Sequence, residues 1–85
     1  MSGWKLRTGV RLQYDPVRGA HVLLHPEGVL RLNNTAAAIL TLCDGDRDSA
    51  GIADLLAESF EAVVVQQVQG FLTRLAQRRL VVADG

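Results

Sequence analysis

Three sets of residues in this 85-residue chain have types and spacings that chemistry uses. Asp44-Gly45-Asp46-Arg47-Asp48 sets carboxylates at alternate positions, as the first half of a calcium loop does. Such a loop needs glycine at its sixth position to turn and a bidentate glutamate at its twelfth to close on the ion. Here those positions hold Ser49 and Leu55, so the acids read as a solvated turn that caps the next helix. His21 and His25 have the interval of a metal pair. On a strand, however, residues four apart share a face about 13 Å from each other, too far to grip one ion, and Pro26 argues against a helix there. Cys43 lies four residues after Ile39 on an apolar stripe, where cysteine behaves as a small hydrophobe. The sequence sets no histidine and carboxylate beside it to activate a nucleophile. A single thiol closes no internal disulfide and holds no iron–sulfur cluster. With no glycine-rich phosphate loop and no paired catalytic carboxylates in the sequence, the expectation is a protein that is not an enzyme and carries no metal or cofactor.

The elements that position these residues divide the chain in two. Val10, Leu12 and Tyr14 alternate with Arg11 and Gln13, the period of a half-buried strand, and Asp15-Pro16-Val17-Arg18-Gly19 ends it with turn chemistry. His21 to His25 forms a second strand, His25-Pro26-Glu27-Gly28 suits a type I turn, and Val29 to Leu32 returns as a third, with Leu30 and Leu32 on one face. Asn33, Asn34 and Thr35 offer caps to a helix beginning at Ala36, which Gly45 would stop. Asp48 or Ser49 caps a second, with Ile52, Leu55, Leu56 and Phe60 at helical spacing. A third helical pattern runs from about Ala62 to Arg79, its final arginines complementing the helix dipole. The Ser59 to Ala62 junction carries no strong break, so one long helix from Ser49 to Arg79 stays open at this point, as does a hinge there that exchanges the third helix between two copies. Strands first and helices second imply an α+β domain, three short antiparallel strands followed by three helices packed on one face. Residues 1–8 are expected to be a flexible N-terminus.

Nine basic and nine acidic residues give a formal net charge of zero, which disfavours a broad electrostatic surface for nucleic acid or anionic membrane. No stretch approaches the roughly 18 apolar residues that span a bilayer, and no apolar run follows Met1-Ser2-Gly3-Trp4-Lys5 to serve as a signal peptide. A cytoplasmic domain, monomer or homodimer, is the expectation. Three strands with three helices also make a winged helix-turn-helix, and the alternative function is therefore a winged-helix DNA-binding transcription factor. Against it, the third helix opens with Glu61, Ala62, Val63, Val64 and Val65, while Arg74, Arg78 and Arg79 gather at its far end, away from where a reading helix meets bases.

A more specific signal is an ordered set of short segments. Arg11-Leu12-Gln13, His21-Val22-Leu23-Leu24 with Pro26-Glu27-Gly28, Leu32-Asn33 followed by Thr35-Ala36-Ala37 and Ile39-Leu40, and Leu42-Cys43-Asp44-Gly45 together resemble the PqqD family of peptide chaperones in pyrroloquinoline quinone (PQQ) biosynthesis. The resemblance covers nearly the whole chain. His25 stands where members often carry an aromatic residue, and Asn34 where a longer polar one is common. The resemblance implies a winged-helix-like recognition module that binds the leader of a ribosomal precursor peptide. It also implies that the module presents that peptide to a radical S-adenosylmethionine enzyme, which cross-links a glutamate and a tyrosine within it. By the same likeness, the leader adds as a strand beside the third strand and packs on the third helix.

Carried onto this sequence, the implied peptide-binding residues are Val29, Leu30, Arg31, Leu32 and Asn33 on the strand side, and Val65, Val68 and Leu72 on the helix side. An unpaired strand edge offers backbone donors and acceptors to a foreign strand, and apolar pockets under alternate side chains add selectivity. On this expectation Leu30→Pro, by removing an edge donor, weakens peptide binding more than Leu30→Val does. A purely structural subunit that docks to the enzyme and reads no peptide is a third possibility.

Overall fold

The computed structural model describes residues 3–58 and 65–84. Glu61 to Val64 and the hinge expected at Ser59 to Ala62 fall outside the described residues. Three antiparallel strands form one sheet in the order β2 (Arg11–Asp15), β3 (Ala20–His25), β4 (Gly28–Arg31), as the alternation of their apolar residues predicts. Asp15 closes the first turn: its Oδ1 accepts from the Val17 N–H at 3.0 Å and its carbonyl from the Gly19 N–H at 2.8 Å. Gly19 has φ 66°, a left-handed conformation that costs glycine nothing. Pro26 and Glu27 make the second turn, between the paired residues His25 and Gly28.

Helix α1 (Asn34–Thr41) starts where Asn33 Oδ1 accepts from the Ala36 N–H at 2.8 Å, the bond expected of an N-cap. It ends four residues before Gly45, the stop read from sequence. Helix α2 (Ser49–Leu56) is capped by Asp48, whose Oδ1 accepts from the Gly51 N–H at 2.8 Å. Helix α3 (Val65–Gln77) packs against α2. The Ser49 hydroxyl hydrogen-bonds the Gln69 side chain. In one continuous helix those residues would stand about 30 Å apart, so α2 and α3 are separate elements lying side by side.

The termini depart from expectation. Residues 3–6, read as part of a flexible arm, form strand β1 (Gly3–Leu6), paired antiparallel with β5 (Val81–Asp84) in a second, two-stranded sheet. Its anchors are nonlocal. The Trp4 N–H donates to the Arg47 carbonyl at 2.9 Å, and the Trp4 carbonyl accepts from the Gly45 N–H at 2.8 Å. The Trp4 indole N–H donates to Ser49 Oγ at 3.0 Å. Gly3 is required by contact, because a Cβ there would lie 1.9 Å from the Gly45 carbonyl oxygen. The core lies between the layers, with Leu23, Ile52, Val68, Leu72 and Val81 sealed from solvent. Among the described residues no helix is long and apolar enough to cross a membrane.

Candidate peptide-binding groove

β4 is an edge strand: among the described residues it pairs with β3 and with nothing on its other side. The direction of its backbone groups follows from the ladder. The Leu32 N–H donates inward to the His21 carbonyl at 3.0 Å, and in an antiparallel pair the hydrogen-bonded residues alternate. Leu30, opposite Leu23, is therefore bonded inward, whereas Val29 and Arg31 turn their N–H and C=O groups out to the free edge. This corrects the role expected of Leu30: its amide belongs to the β3–β4 ladder, and the outward donors are those of Val29 and Arg31. The side chains alternate too, with Leu30 and Leu32 packing toward the core and Val29 exposed on the opposite face.

Between β4 and α3 lies a cleft of about 330 Å³ lined on the strand side by Leu30 to Asn33 and on the helix side by Phe71, Arg74, Leu75 and Arg78. Four of the five strand-side residues expected from sequence thus line one cleft, while Val29 lines a separate hollow with Gln13, Val22 and Leu24 on the other face of the sheet. The helix side differs. Val68 and Leu72, expected to face a peptide, are 0% exposed and form part of the interior. Val65 is exposed but lines a separate shallow apolar patch with Gln66, Gln69 and Gly70. The physical reason is helical phase. Val68, Leu72 and Leu75 recur at the spacing of the buried stripe, and Phe71, Arg74 and Arg78 form the neighbouring stripe, about 90° round the helix. The missed residues had a signal in the sequence, an aromatic and two arginines at intervals of three and four.

The residues weighed for chemistry have other duties. Asp44 accepts from the Asp46 N–H at 2.9 Å and pairs with Arg47, and Asp48 is a cap, so the acidic run is a turn. The ring of His21 stands edge-on to Tyr14 with centroids 5.1 Å apart. Cys43 is buried, and its thiol donates to the Ile39 carbonyl at 3.3 Å. Burial, with the Asp44 carboxylate adding to it, pushes that thiol from 9.0 up to about 12. It stays protonated at neutral pH and is a poor nucleophile.

Fold and cleft together define a small α+β module of winged-helix-like build with an open strand edge beside a helical wall. The chain belongs to the PqqD family: residues 20–81 match the family profile described as coenzyme PQQ synthesis protein D. Among curated relatives, the PqqA binding protein of Azotobacter vinelandii is 52% identical over 56 residues, 66% of this chain and 61% of that one. The PqqA binding protein of Stutzerimonas stutzeri is 45% identical over 74 residues, 85% of this chain and 80% of that one. The match to the first of these thus spans less than two thirds of the relative's own length.

Among solved structures, the PqqD truncation of Methylobacterium extorquens PqqCD, described as a functional, stand-alone RiPP recognition element, superposes with a TM-score of 0.78 at 36% identity. That match covers 93% of this chain and 87% of the other. The heterocyclase TruD matches with a TM-score of 0.70 at 14% identity, over 98% of this chain and 12% of TruD, a likeness of fold alone.

Proposed function

We propose that this chain binds the leader region of the PQQ precursor peptide as an added strand on β4. It then presents the peptide to the radical S-adenosylmethionine enzyme that cross-links a glutamate and a tyrosine within it. One observation carries the reading: β4 leaves the outward amides and carbonyls of Val29 and Arg31 without a strand partner among the described residues, beside a cleft walled by Phe71. Main-chain hydrogen bonds along such an edge supply affinity, and the cleft under alternate side chains supplies selection. The names of the relatives, as PqqA binding proteins, and of the M. extorquens domain, as a recognition element, support the same ligand class. A binding role also suits a chain whose one cysteine is buried and protonated and whose clustered acids serve a turn and a helix cap.

The test is a titration of isotope-labelled protein with the precursor peptide, followed by the radical S-adenosylmethionine enzyme. Amide signals of residues 28–33 and of Phe71 to Arg78 are expected to shift with peptide, and the complex to bind the enzyme more tightly than either component does alone. Saturating peptide that shifts other regions only would refute the groove, and enzyme binding indifferent to peptide would refute presentation.

A further inference from the structure

Two arginines stand on the helical wall of the cleft, Arg74 in α3 and Arg78 in the turn just after it; Arg31 borders the cleft on β4, but alternation puts its side chain on the other face of the sheet with Val29. No carboxylate lines the cleft, and among the described residues the arginine ion pairs are those of Arg18 and Arg47, both elsewhere. Arginine near the end of a helix also complements the helix dipole, and both Arg74 and Arg78 line the cleft beside the open edge of β4, where an added strand would meet them. The chain as a whole has a formal net charge of zero, so this positive character is local to the groove. Guanidinium groups hold carboxylates through paired, charge-assisted hydrogen bonds.

The spacing adds a register. Phe71 forms the apolar part of the helical wall, with Arg74 and Arg78 about 4.5 and 10.5 Å further along the helix axis. On an extended peptide, side chains of one face recur about every 6.7 Å. For a peptide running along the helix, a residue packed on Phe71 therefore places the side chain two positions on between the two arginines.

Resting on the strand-addition reading above, we infer that the groove selects an acidic residue in the bound peptide, a glutamate or aspartate two positions from an apolar anchor, held by Arg74 and Arg78. The anchor fills the apolar part of the cleft, and the carboxylate fixes register along an edge whose backbone bonds alone would permit sliding.

The test measures affinity for the PQQ precursor peptide in the wild type and in the Arg74→Gln/Arg78→Gln double variant, at low and high salt. The double variant is expected to bind about tenfold more weakly at low salt, the two proteins converging as salt screens the pair. Replacing the leader's acidic residues by their amides is expected to reproduce that loss in the wild type and to add little in the double variant, as coupled partners require. The Arg74→Lys/Arg78→Lys variant, which keeps the charge but loses the paired donors, is expected to bind more weakly than wild type and more tightly than the glutamine variant, and amide spectra establish that each variant is folded.

Unchanged affinity in the folded glutamine variant overturns the inference while leaving strand addition standing, and so do losses that simply add. A wild type that does not bind the peptide overturns both. Salt-dependent binding of duplex DNA that the double variant loses, with peptide affinity unchanged, overturns the inference by giving the arginines to nucleic acid.

Discussion

Val29 and Leu30 are neighbours, yet a proline at each has opposite consequences. The Val29 amide points out to the free edge of β4, where proline is tolerated because no ladder bond is lost. Val29→Pro is expected to leave the fold intact and weaken precursor-peptide binding about fivefold, the worth of one net hydrogen bond near 1 kcal/mol. Leu30→Pro instead removes a donor inside the β3–β4 ladder and leaves the Leu23 carbonyl unpaired, and its expected effect is a loss of stability of about 1–3 kcal/mol. Denaturant unfolding beside peptide titration separates the two, and equal peptide affinities for wild type and Val29→Pro would remove the strand-addition mechanism. That Leu30 and Leu32 share a face was legible from their alternation with Val29 and Arg31. Which amides face outward was not, because it depends on the pairing partner, and the bond from Leu32 to His21 decides it.

At the scale of elements, the three-stranded sheet and the caps of α1 and α2 were legible because their signals are local: alternation, Asp15 and Gly19 in one turn, Pro26 in the next, Asn33 and Asp48 at helix starts. The groove face of α3 was not. Two stripes about 90° apart both carry apolar residues, and only tertiary packing shows that Val68 and Leu72 are interior and Phe71 is on the wall. The end of α3 is equally a matter of geometry. The Leu80 N–H donates to the Leu75 carbonyl and the Arg79 N–H to the Ala76 carbonyl, both at 3.0 Å, with Arg79 at φ 61° between them. This is a Schellman closure with arginine at the position where glycine is usual. A side chain in the left-handed region costs roughly 1 kcal/mol, so Arg79→Gly is expected to raise unfolding free energy by about that much without altering peptide affinity. A variant no more stable than wild type would show that Arg79 makes compensating contacts.

For the molecule as a whole, the two ends of the chain close one sheet while the strand edge at β4 stays open. Sequence separation hid the first of these. Gly3 to Leu6 and Val81 to Asp84 are each too short to announce themselves, and what holds β1 is a set of distant partners: the Trp4 bonds to Arg47, Gly45 and Ser49, and the contact that only glycine at position 3 permits. β2 ends the same sheet with an edge of its own, but the cleft against α3 lies at β4, and there a further strand can join without displacing the chain's own. Amide hydrogen exchange at single-residue resolution, with and without the precursor peptide, tests that claim most directly. In the free protein the Leu30 and Leu32 amides are expected to exchange slowly and those of Val29 and Arg31 fast; peptide is expected to slow Val29 and Arg31 by at least about tenfold. Val29 and Arg31 amides that are already protected in the free protein, or that remain fast when peptide is saturating, would contradict the account.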